Sequence, residues 1–284
     1  MTKYSFSGHE TFYCRSLWLK KGYDFIKDGH SFNDPNAVIK LGVGKNMVSS
    51  IRFWLKAFGL TINDQPTQLA DLLLDTNHGI DQFLEDIDSL WLLHYSIIRE
   101  QIASLYYLLF VEFQSEKKDF DRNLLKNHIK RCCNINEQKS AYNENTVKKD
   151  IDILLKNYVT PTYVNALEDF SAIFLSLNIL QKKDDYDDFG GKETYFFIQH
   201  RESEINPSLI LYAMLDMKGE DKTISFDNLQ VIAYIFCLSV SSLIEAIRGL
   251  EKKYPQLLHY SDNSGIRNVQ FLKPLDKYDA LKMK

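Results

Sequence analysis

The stretch KLGVGKNMVSSIRFWLKAFGL, residues 40–60, decides the fold class because it has the pattern of the turn and second helix of a helix-turn-helix. Apolar residues recur at helical spacing and predict one buried face, formed by Met47, Ile51, Trp54, Leu55 and Phe58. The opposite face is mostly polar and contains Lys45, Asn46, Ser49, Phe53 and Lys56. An ordinary amphipathic helical hairpin has the same pattern, so the segment alone leaves both interpretations open.

The flanking residues extend this pattern to a winged helix-turn-helix. Upstream, Trp18 and Phe25 indicate a buried helical stripe, and the Asp-Pro pair at residues 34–35 favours the start of a second helix. Downstream, LTIND and PTQLADLLL predict the two short strands of a wing with a turn at Pro66. The order helix, helix, turn, recognition helix and hairpin predicts an N-terminal winged helix-turn-helix-like unit over residues 1–79.

Residues 80–119 are predicted to form a central helical connector between the N-terminal unit and the rest of the chain. Residues 80–113 are apolar on most faces, which favours buried helices. Glu85, Asp86 and Asp88 lie near the start of this stretch, where carboxylates stabilise the helix dipole. A metal site is the alternative, but nothing in the sequence pairs these carboxylates with further ligands.

The middle unit, residues 120–205, is predicted to be helical with one hairpin. Apolar periodicity predicts amphipathic helices over LLKNHIKRC, NENTVKKDIDILLKNYV and LEDFSAIFLSLNIL. Lys148 and Lys149 lie on the polar face of the second of these helices. The stretch KKDDYDDFGGKETYFFI predicts a hairpin with its turn at residues 187–191. Its aspartates lack the spacing and closing Glu of an EF-hand loop, so we interpret them as a solvated turn.

The C-terminal unit, residues 206–284, repeats the winged-helix pattern. FDNLQVIAYIF predicts a helix, CLSVSS a corner with capping serines, and LIEAIRGLEKKY a second helix. LLHYSDNSGIRNVQFL alternates around Asn263, Ser264 and Gly265, which is typical of a hairpin. The whole chain is therefore predicted to be mainly α with small β-hairpin wings, in which multiple winged helix-turn-helix-like units surround a central helical segment.

The charge pattern bears on nucleic-acid binding. The 284 residues carry a formal net charge of −4, which disfavours a protein that coats nucleic acid nonspecifically. Residues 1–60, 120–165 and 226–284 carry +5, +3 and +2, whereas residues 61–119 and 166–225 carry −8 and −6. The helix-turn-helix-like segments lie in the positive blocks, so we expect local cationic faces on an acidic body. Blocks of this size also fluctuate by several charges at random, and that alternative stays open.

Composition and cysteine spacing bear on the cellular compartment of the protein. The 45% hydrophobic and 25% charged residues are ordinary for a soluble globular protein. We expect a cytoplasmic protein, because no apolar run is long enough for a membrane span and no basic leader precedes an apolar run. The four cysteines lack disulfide-framework and zinc-ribbon spacing and are predicted to be reduced, mostly buried thiols: Cys14, Cys132, Cys133 and Cys237.

The sequence contains no cofactor or metal motif. The Gly-Lys pair at residues 44–45 lacks the upstream glycine and the following hydroxyl of a phosphate-binding loop. His9, Glu10 and Cys14 are a weaker candidate for an unrecognised catalytic site. We interpret His9 and Glu10 as a buried polar cluster whose members bond backbone groups and each other. His94, inside the apolar SLWLLHYSII, is predicted to be a core histidine.

Three long motifs carry a family resemblance. GHETFYCRSLWLKKG, LGVGKNMVSSIRFW and LEDIDSLWLLH, in this order, resemble the bacterial domain-of-unknown-function family numbered four thousand and seven. The resemblance extends through IFCLSVSSLIEAIRGL to IRNVQF and departs from the family pattern at Tyr95, where tryptophan is commoner. It implies a protein of anti-phage defence loci, encoded beside proteins resembling the phosphoadenylyl-sulfate reductases of DNA sulfur modification. It implies no catalytic residues.

We expect a non-catalytic DNA-binding component or regulator of such a defence or DNA-modification system, with double-stranded DNA as its partner. The candidate DNA-binding residues lie on the predicted recognition helices: Lys45, Asn46, Ser49, Ser50, Arg52, Lys56, Lys148, Lys149, Ser241, Ser242 and Arg248. The alternative is an adaptor that binds proteins of the defence system, such as the reductase-like ones, through its winged-helix units. The acidic blocks, which repel DNA, favour this alternative.

Overall fold

A computed structural model describes residues 3–161, 171–187, 190–263 and 266–283. The chain is mainly helical with small antiparallel sheets, as the sequence predicts. It divides into two compact units, Met1–Phe197 and Ile198–Lys284. The finer division at residues 79, 119 and 205 stays a prediction.

The N-terminal part of the first unit places α3 against α1. Its elements are α1 (Ser16–Lys27), α2 (Ala37–Leu41), α3 (Lys45–Ala57), β1 (Thr61–Ile62), β2 (Gln65–Pro66) and α4 (Gln68–Leu74). Helices α1 and α3 approach closely at Gly22, where an added Cβ would lie 2.6 Å from Ile51. Trp54 and Leu55 of α3 are fully buried, as the helical spacing predicts.

The predicted wing of this part is wrong in its second half. Within PTQLADLLL, Pro66 belongs to the strand β2, but Gln68–Leu74 is helix rather than strand, because Leu69, Leu73 and Leu74 bury one helical face. The Thr67 hydroxyl caps that helix by accepting a hydrogen bond from the Ala70 N–H at 3.3 Å. The hairpin β1–β2 is only two residues per strand, and its turn lies at residues 63–64 rather than at the proline.

The central segment is helical and buried. It comprises α5 (Ile87–Glu100), α6 (Ser104–Tyr107), a π-helical stretch (Leu108–Phe113) and α7 (Gln114–Glu116). Helix α5 begins at Ile87 rather than near residue 80, because the Asp86 carboxylate caps it. His94 is fully buried, and its Nδ1 lies 2.8 Å from the Tyr158 hydroxyl. His94 is therefore a satisfied core histidine, as predicted.

The middle segment follows the order strand, helix, helix, strand, strand. Its elements are β3 (Asp119–Phe120), α8 (Arg122–Ile135), α9 (Glu144–Tyr158), β4 (Leu180–Asp187) and β5 (Gly190–Phe197), and the sheet order is β3-β5-β4. The predicted hairpin is present, and its turn at residues 188–189 lies outside the described residues. Part of the helix predicted over 167–180 also lies outside them. From Ala172 onward the chain forms a bridge to Arg15 and a short 3-10 turn, so no α-helix occurs there.

The C-terminal unit has its own core. Its elements are α10 (Pro207–Lys218), β6 (Thr223–Ser225), α11 (Phe226–Ile235), α12 (Val240–Lys253), β7 (Leu258–Asn263), β8 (Ile266–Phe271) and α13 (Lys277–Ala280). The sheet order is β6-β8-β7, so the last strand lies between the other two. No helix in the described part of the chain is long and apolar enough to cross a lipid bilayer.

Candidate functional site

A polar cleft of about 320 Å³ lies where α3, α9 and the loop of residues 7–11 meet. We call it the α3–α9 cleft. Asn46 of α3 and Lys149 of α9 both line it, although the sequence assigned them to separate units. The cleft therefore joins two of the three predicted binding segments. Its lining residues are Ser7, Gly8, His9, Glu10, Thr11, Asn46, Thr146, Lys149 and Asp150.

His9 ties the two helices together. Its Nε2 lies 2.9 Å from Oδ1 of Asp150 on α9, and its ring stacks on Trp54 of α3 with centroids 6.0 Å apart. The Thr11 N–H donates to Nδ1 at 3.2 Å. Because Nδ1 accepts, the proton of the neutral ring is on Nε2 and is donated to the carboxylate. His9 is buried as predicted, but Glu10 is exposed and is not part of the buried cluster.

The loop of residues 7–11 has an unusual backbone. Ser7, Glu10 and Thr11 have φ values of 72°, 49° and 63°, in the left-handed region that costs L-residues free energy. Gly8 has φ 102°, and an added Cβ there would lie 2.5 Å from the Phe53 ring. The Ser7 N–H donates to Oδ2 of Asp150 at 2.8 Å. One carboxylate on α9 thus holds both the histidine and the strained backbone.

The start of α3 is exposed and cationic. Lys45, Asn46 and Ser49 are exposed, as is Lys56 in the last turn. The N-cap residue of α3, Gly44, provides no side-chain cap, and the first turn contains no acidic residue. Neither lysine forms an ion pair with another described residue. These four side chains are therefore accessible to an anionic partner.

Two predicted binding residues of α3 serve the fold instead. Ser50 is fully buried, so we remove it from the candidate interface. The Arg52 guanidinium is half-buried and donates to both carboxylate oxygens of Asp64, at 2.9 and 2.5 Å, and to the Asn33 amide oxygen at 3.0 Å. It fixes the β1–β2 turn against α3, and its charge is already neutralised. No local sequence pattern indicates that the turn supplies this carboxylate.

The start of α9 is the second cationic part of the cleft. Lys148 and Lys149 are exposed, and Lys149 forms no ion pair with another described residue. Glu144, in the first turn, pairs with Lys126 at 2.7 Å, and that hydrogen bond lowers the pKa of the Glu144 carboxyl. The local carboxylate is thus already engaged. The two predicted lysines are available to a ligand.

Asp150 is a residue of the site that the sequence analysis does not predict. It is 7% exposed and lies between Val147 and Ile151 on the buried side of α9. A carboxylate on the apolar side of an amphipathic helix is rarely left without a partner. That signal indicated a buried polar contact, but it did not identify His9, which is 141 positions away in the sequence.

The predicted residues of α12 are occupied in capping the helix. The Ser239 hydroxyl accepts a hydrogen bond from the Ser242 N–H at 3.0 Å and lies 2.8 Å from the Ser241 hydroxyl. Ser239 rather than its neighbours is therefore the cap residue. Arg248 is exposed, and its guanidinium lies 5.7 Å from the centre of the Tyr260 ring. The start of α12, residues 240–247, contains no basic residue, unlike the starts of α3 and α9.

The cysteines have the properties of structural thiols. Burial raises the pKa of Cys14 well above its ordinary value and that of Cys132 to about 11. Cys132 also contacts Nε2 of His128 at 3.3 Å. Both thiols are therefore protonated at neutral pH, which disfavours nucleophilic chemistry. In the described part of the chain, no three His, Cys, Asp or Glu side chains are grouped so as to hold a metal ion.

Fold and site together define a mainly helical protein with small sheets and one polar cleft between two helix starts. The chain belongs to the family described as protein of unknown function (DUF4007), whose family model matches residues 6–283. It is similar to two solved structures. One is described as a crystal structure of SspB bound to magnesium ion, with 27% identity and a TM-score of 0.82, covering 98% of this chain and 87% of that one.

The other is described as a crystal structure of SspB, with 27% identity and a TM-score of 0.81 over the same shares of the two chains. No curated protein sequence matches this chain. The family assignment predicted from the GHETFYCRSLWLKKG, LGVGKNMVSSIRFW and LEDIDSLWLLH motifs is confirmed.

Proposed function

We propose that the protein is a double-stranded DNA-binding component of a bacterial defence or DNA-modification system, and that it binds DNA at the α3–α9 cleft. One observation carries the proposal: Asn46 of α3 and the exposed Lys149 of α9 line one polar cleft of a protein with a net charge of −4, and the exposed Lys45 precedes Asn46 at the start of α3. Such starts supply both positive charge and hydrogen-bond donors to phosphates. The link to defence loci rests on the family resemblance.

Topology supports the assignment of α9 and α12 as recognition helices of winged-helix units. Each is the third helix in the order helix, strand, helix, helix, strand, strand. In both segments the last strand lies in the centre of the sheet, with orders β3-β5-β4 and β6-β8-β7. A winged helix uses the start of its third helix to enter the major groove. In the N-terminal part, helix α3 corresponds to α9 and α12, and the hairpin β1–β2, with two residues in each strand, follows it.

The magnesium named for one related structure is not assigned to a site here. Mg²⁺ in proteins commonly binds one or two carboxylates together with substrate phosphates. In the cleft the Asp150 carboxylate is already bonded to His9 and to the Ser7 N–H, which leaves Glu10 as an exposed carboxylate. The side chains present thus do not form a metal site by themselves. DNA titrations with and without added magnesium measure any dependence directly.

The test is fluorescence anisotropy with a labelled duplex over a range of salt concentrations. Reversing the charge of Lys45 and Lys56 together should weaken binding about tenfold or more and flatten the salt dependence, because two phosphate contacts are lost. The matched control reverses Lys222 and Lys273, which are exposed in the C-terminal unit and lie outside α12. Equal affinities for the folded Lys45→Glu/Lys56→Glu variant and the parent protein would remove this assignment.

A second candidate function is a protein-interaction adaptor. An apolar groove of about 340 Å³ in the C-terminal unit favours it, because exposed apolar concavities are typical of protein-binding sites. Pro207, Leu211 and Tyr254 line this groove. A purified protein encoded beside this one in a defence locus is the partner to test. Stoichiometric binding of that protein, together with no DNA binding at low salt, would select this function.

A further inference from the structure

We infer that α3 and α9 act as one composite reader on a single turn of a duplex, rather than as two modules on separate half-sites. The inference rests on the proposed function and adds the form of the ligand: one short duplex segment contacted by both helices. The sequence assigned the two helices to separate units. The α3–α9 cleft brings their starts to the same surface.

The separation of the two helices carries the argument. The His9 ring connects Trp54 of α3 with Asp150 of α9, since it stacks on the first and hydrogen-bonds the second. Asn46 and Lys149 line one cleft of about 320 Å³. Half-sites on successive turns of DNA are about 34 Å apart. Helix starts that line one cleft of this size cannot occupy two grooves at that spacing.

The tie is rigid, so the helices keep this arrangement on binding. Asp150 is buried, and its two oxygens bond the His9 ring and the Ser7 N–H. Gly8 packs against Phe53, where no side chain fits. Moving α9 away from α3 would break the buried hydrogen bonds between Asp150 and the loop of residues 7–11, which is costly. A DNA ligand therefore meets a preformed surface.

The side chains that line the cleft have the chemistry to bind the sugar-phosphate backbone of DNA. Lys149 is an exposed cation, and the Asn46 amide and the Thr146 hydroxyl also line the cleft. These groups donate hydrogen bonds to phosphate oxygens in any sequence. The exposed Glu10 carboxylate at the same surface repels phosphate, so it limits how closely a second strand approaches. Residues outside the cleft lining would then have to distinguish one DNA sequence from another.

The experiment compares two lysines on two duplex lengths, using the full chain. Affinities of the parent, Lys45→Ala and Lys149→Ala are measured on duplexes of about 12 and about 24 base pairs, roughly one and two helical turns. Each substitution should weaken binding about fivefold, and by the same factor on both lengths, because one turn already contacts both lysines. Lys222→Ala, in the other compact unit, is the control and should change neither affinity.

The outcomes separate this inference from the function beneath it. If Lys45→Ala or Lys149→Ala weakens binding to the long duplex but not to the short one, the helices use separate sites and the inference is overturned. If one lysine or neither matters on either length, the composite reader is equally excluded, although DNA binding itself stands. If the parent binds no duplex of either length at low salt, the proposed function fails first. Circular dichroism confirms that each variant is folded.

Discussion

The middle segment and the C-terminal unit share one topology and differ at the starts of α9 and α12, the helices that we propose as recognition helices. Both have the order helix, strand, helix, helix, strand, strand and a sheet with the last strand in the centre. At the start of α9, Lys148 and Lys149 are exposed. At the start of α12, Ser241 and Ser242 are engaged with the capping Ser239. The same topology thus has exposed lysines near the start of α9, whereas at the start of α12 the polar side chains hydrogen-bond one another.

That difference teaches that topology alone does not locate function in this protein. Binding capacity depends on which side chains at a helix start remain accessible after the fold has used the others. In α12 the fold uses the serines, and in α3 it uses Arg52 to hold the β1–β2 turn. In α9 it uses Asp150 and leaves the lysines exposed. The predictions below test this division of roles.

The largest expected effect is on stability. Asp150→Ala leaves the buried His9 ring and the Ser7 N–H without their acceptor, so we expect a loss of about 2–4 kcal/mol in the free energy of unfolding. Urea unfolding of the full chain measures it. Asp152→Ala is the control, because that carboxylate is on the same helix but half-exposed. A loss no larger than that of the control would mean that the tie between α3 and α9 contributes little.

The second effect contrasts the two helix starts directly. Reversing Lys148 and Lys149 should weaken duplex binding about thirtyfold, since two phosphate contacts are replaced by repulsion. Reversing Arg248 together with Ser241→Glu on α12 should weaken it no more than about threefold, as expected of a long-range charge change. Anisotropy titrations at one salt concentration compare the variants. Equal losses would erase the distinction between the segments.

The third effect concerns the cap of α12. Ser239→Ala removes the acceptor of the Ser242 N–H and should cost about 1 kcal/mol of stability. DNA affinity should stay within twofold of the parent, because this serine serves the helix. Thermal unfolding and anisotropy on the same sample separate the two quantities. A large loss of affinity without a loss of stability would instead give the cap serine a binding role.

The fourth effect is a pH dependence in the middle sheet. The Lys182 ammonium, with further hydrogen bonds from Tyr195 and Arg122, lowers the pKa of Glu193 to about 2. A carboxylate with a lowered folded-state pKa stabilises the fold above its ordinary pKa of 4.5, and this contribution is lost as the pH falls towards 2. The group is partly exposed, so we expect under about 1 kcal/mol. Glu193→Gln should be less stable than the parent at pH 7.

Unfolding of the Glu193→Gln variant and the parent across acid pH provides the check. Their difference in stability should shrink as the pH falls below 4.5. A difference that is constant with pH would mean that the side chain contributes through packing rather than through charge.

The smallest effect lies inside the cleft. Glu10 is an exposed carboxylate beside Lys149, so Glu10→Gln should tighten duplex binding by about two- to threefold. The gain should disappear at high salt, because an exposed charge is screened. Glu137→Gln, at an exposed position outside the cleft lining, is the control. Weaker binding by the Glu10 variant would indicate that this carboxylate contacts the ligand.

Local sequence patterns predict most of the helices correctly, but they do not predict which strands pair with each other. Helices α3, α9 and α12 follow directly from apolar spacing. Strands β3 and β6 are two and three residues long and pair with β5 and β8, far along the sequence, so no local pattern reveals them. Helix α4 was missed, although Thr67 and the leucines at helical spacing after it are an adequate signal of a capped helix.

The candidate site could be predicted only in pieces. Helix starts with basic residues suit DNA, so the sequence predicts Lys45, Asn46 and Lys149 as binding residues, and each of them is exposed. That Asn46 and Lys149 share one cleft depends on the contact between His9 and Asp150, which are 141 positions apart. A single sequence carries no trace of such a contact.

One measurement addresses the central claim most directly, namely photocrosslinking of the full chain to a duplex of about 24 base pairs. A photoreactive p-benzoylphenylalanine is placed at Asn46 in the cleft or, in a matched protein, at Ser241 on α12. The account predicts an efficient crosslink from position 46 and a weaker one from position 241. DNA binding that is retained with no crosslink at position 46 would contradict it.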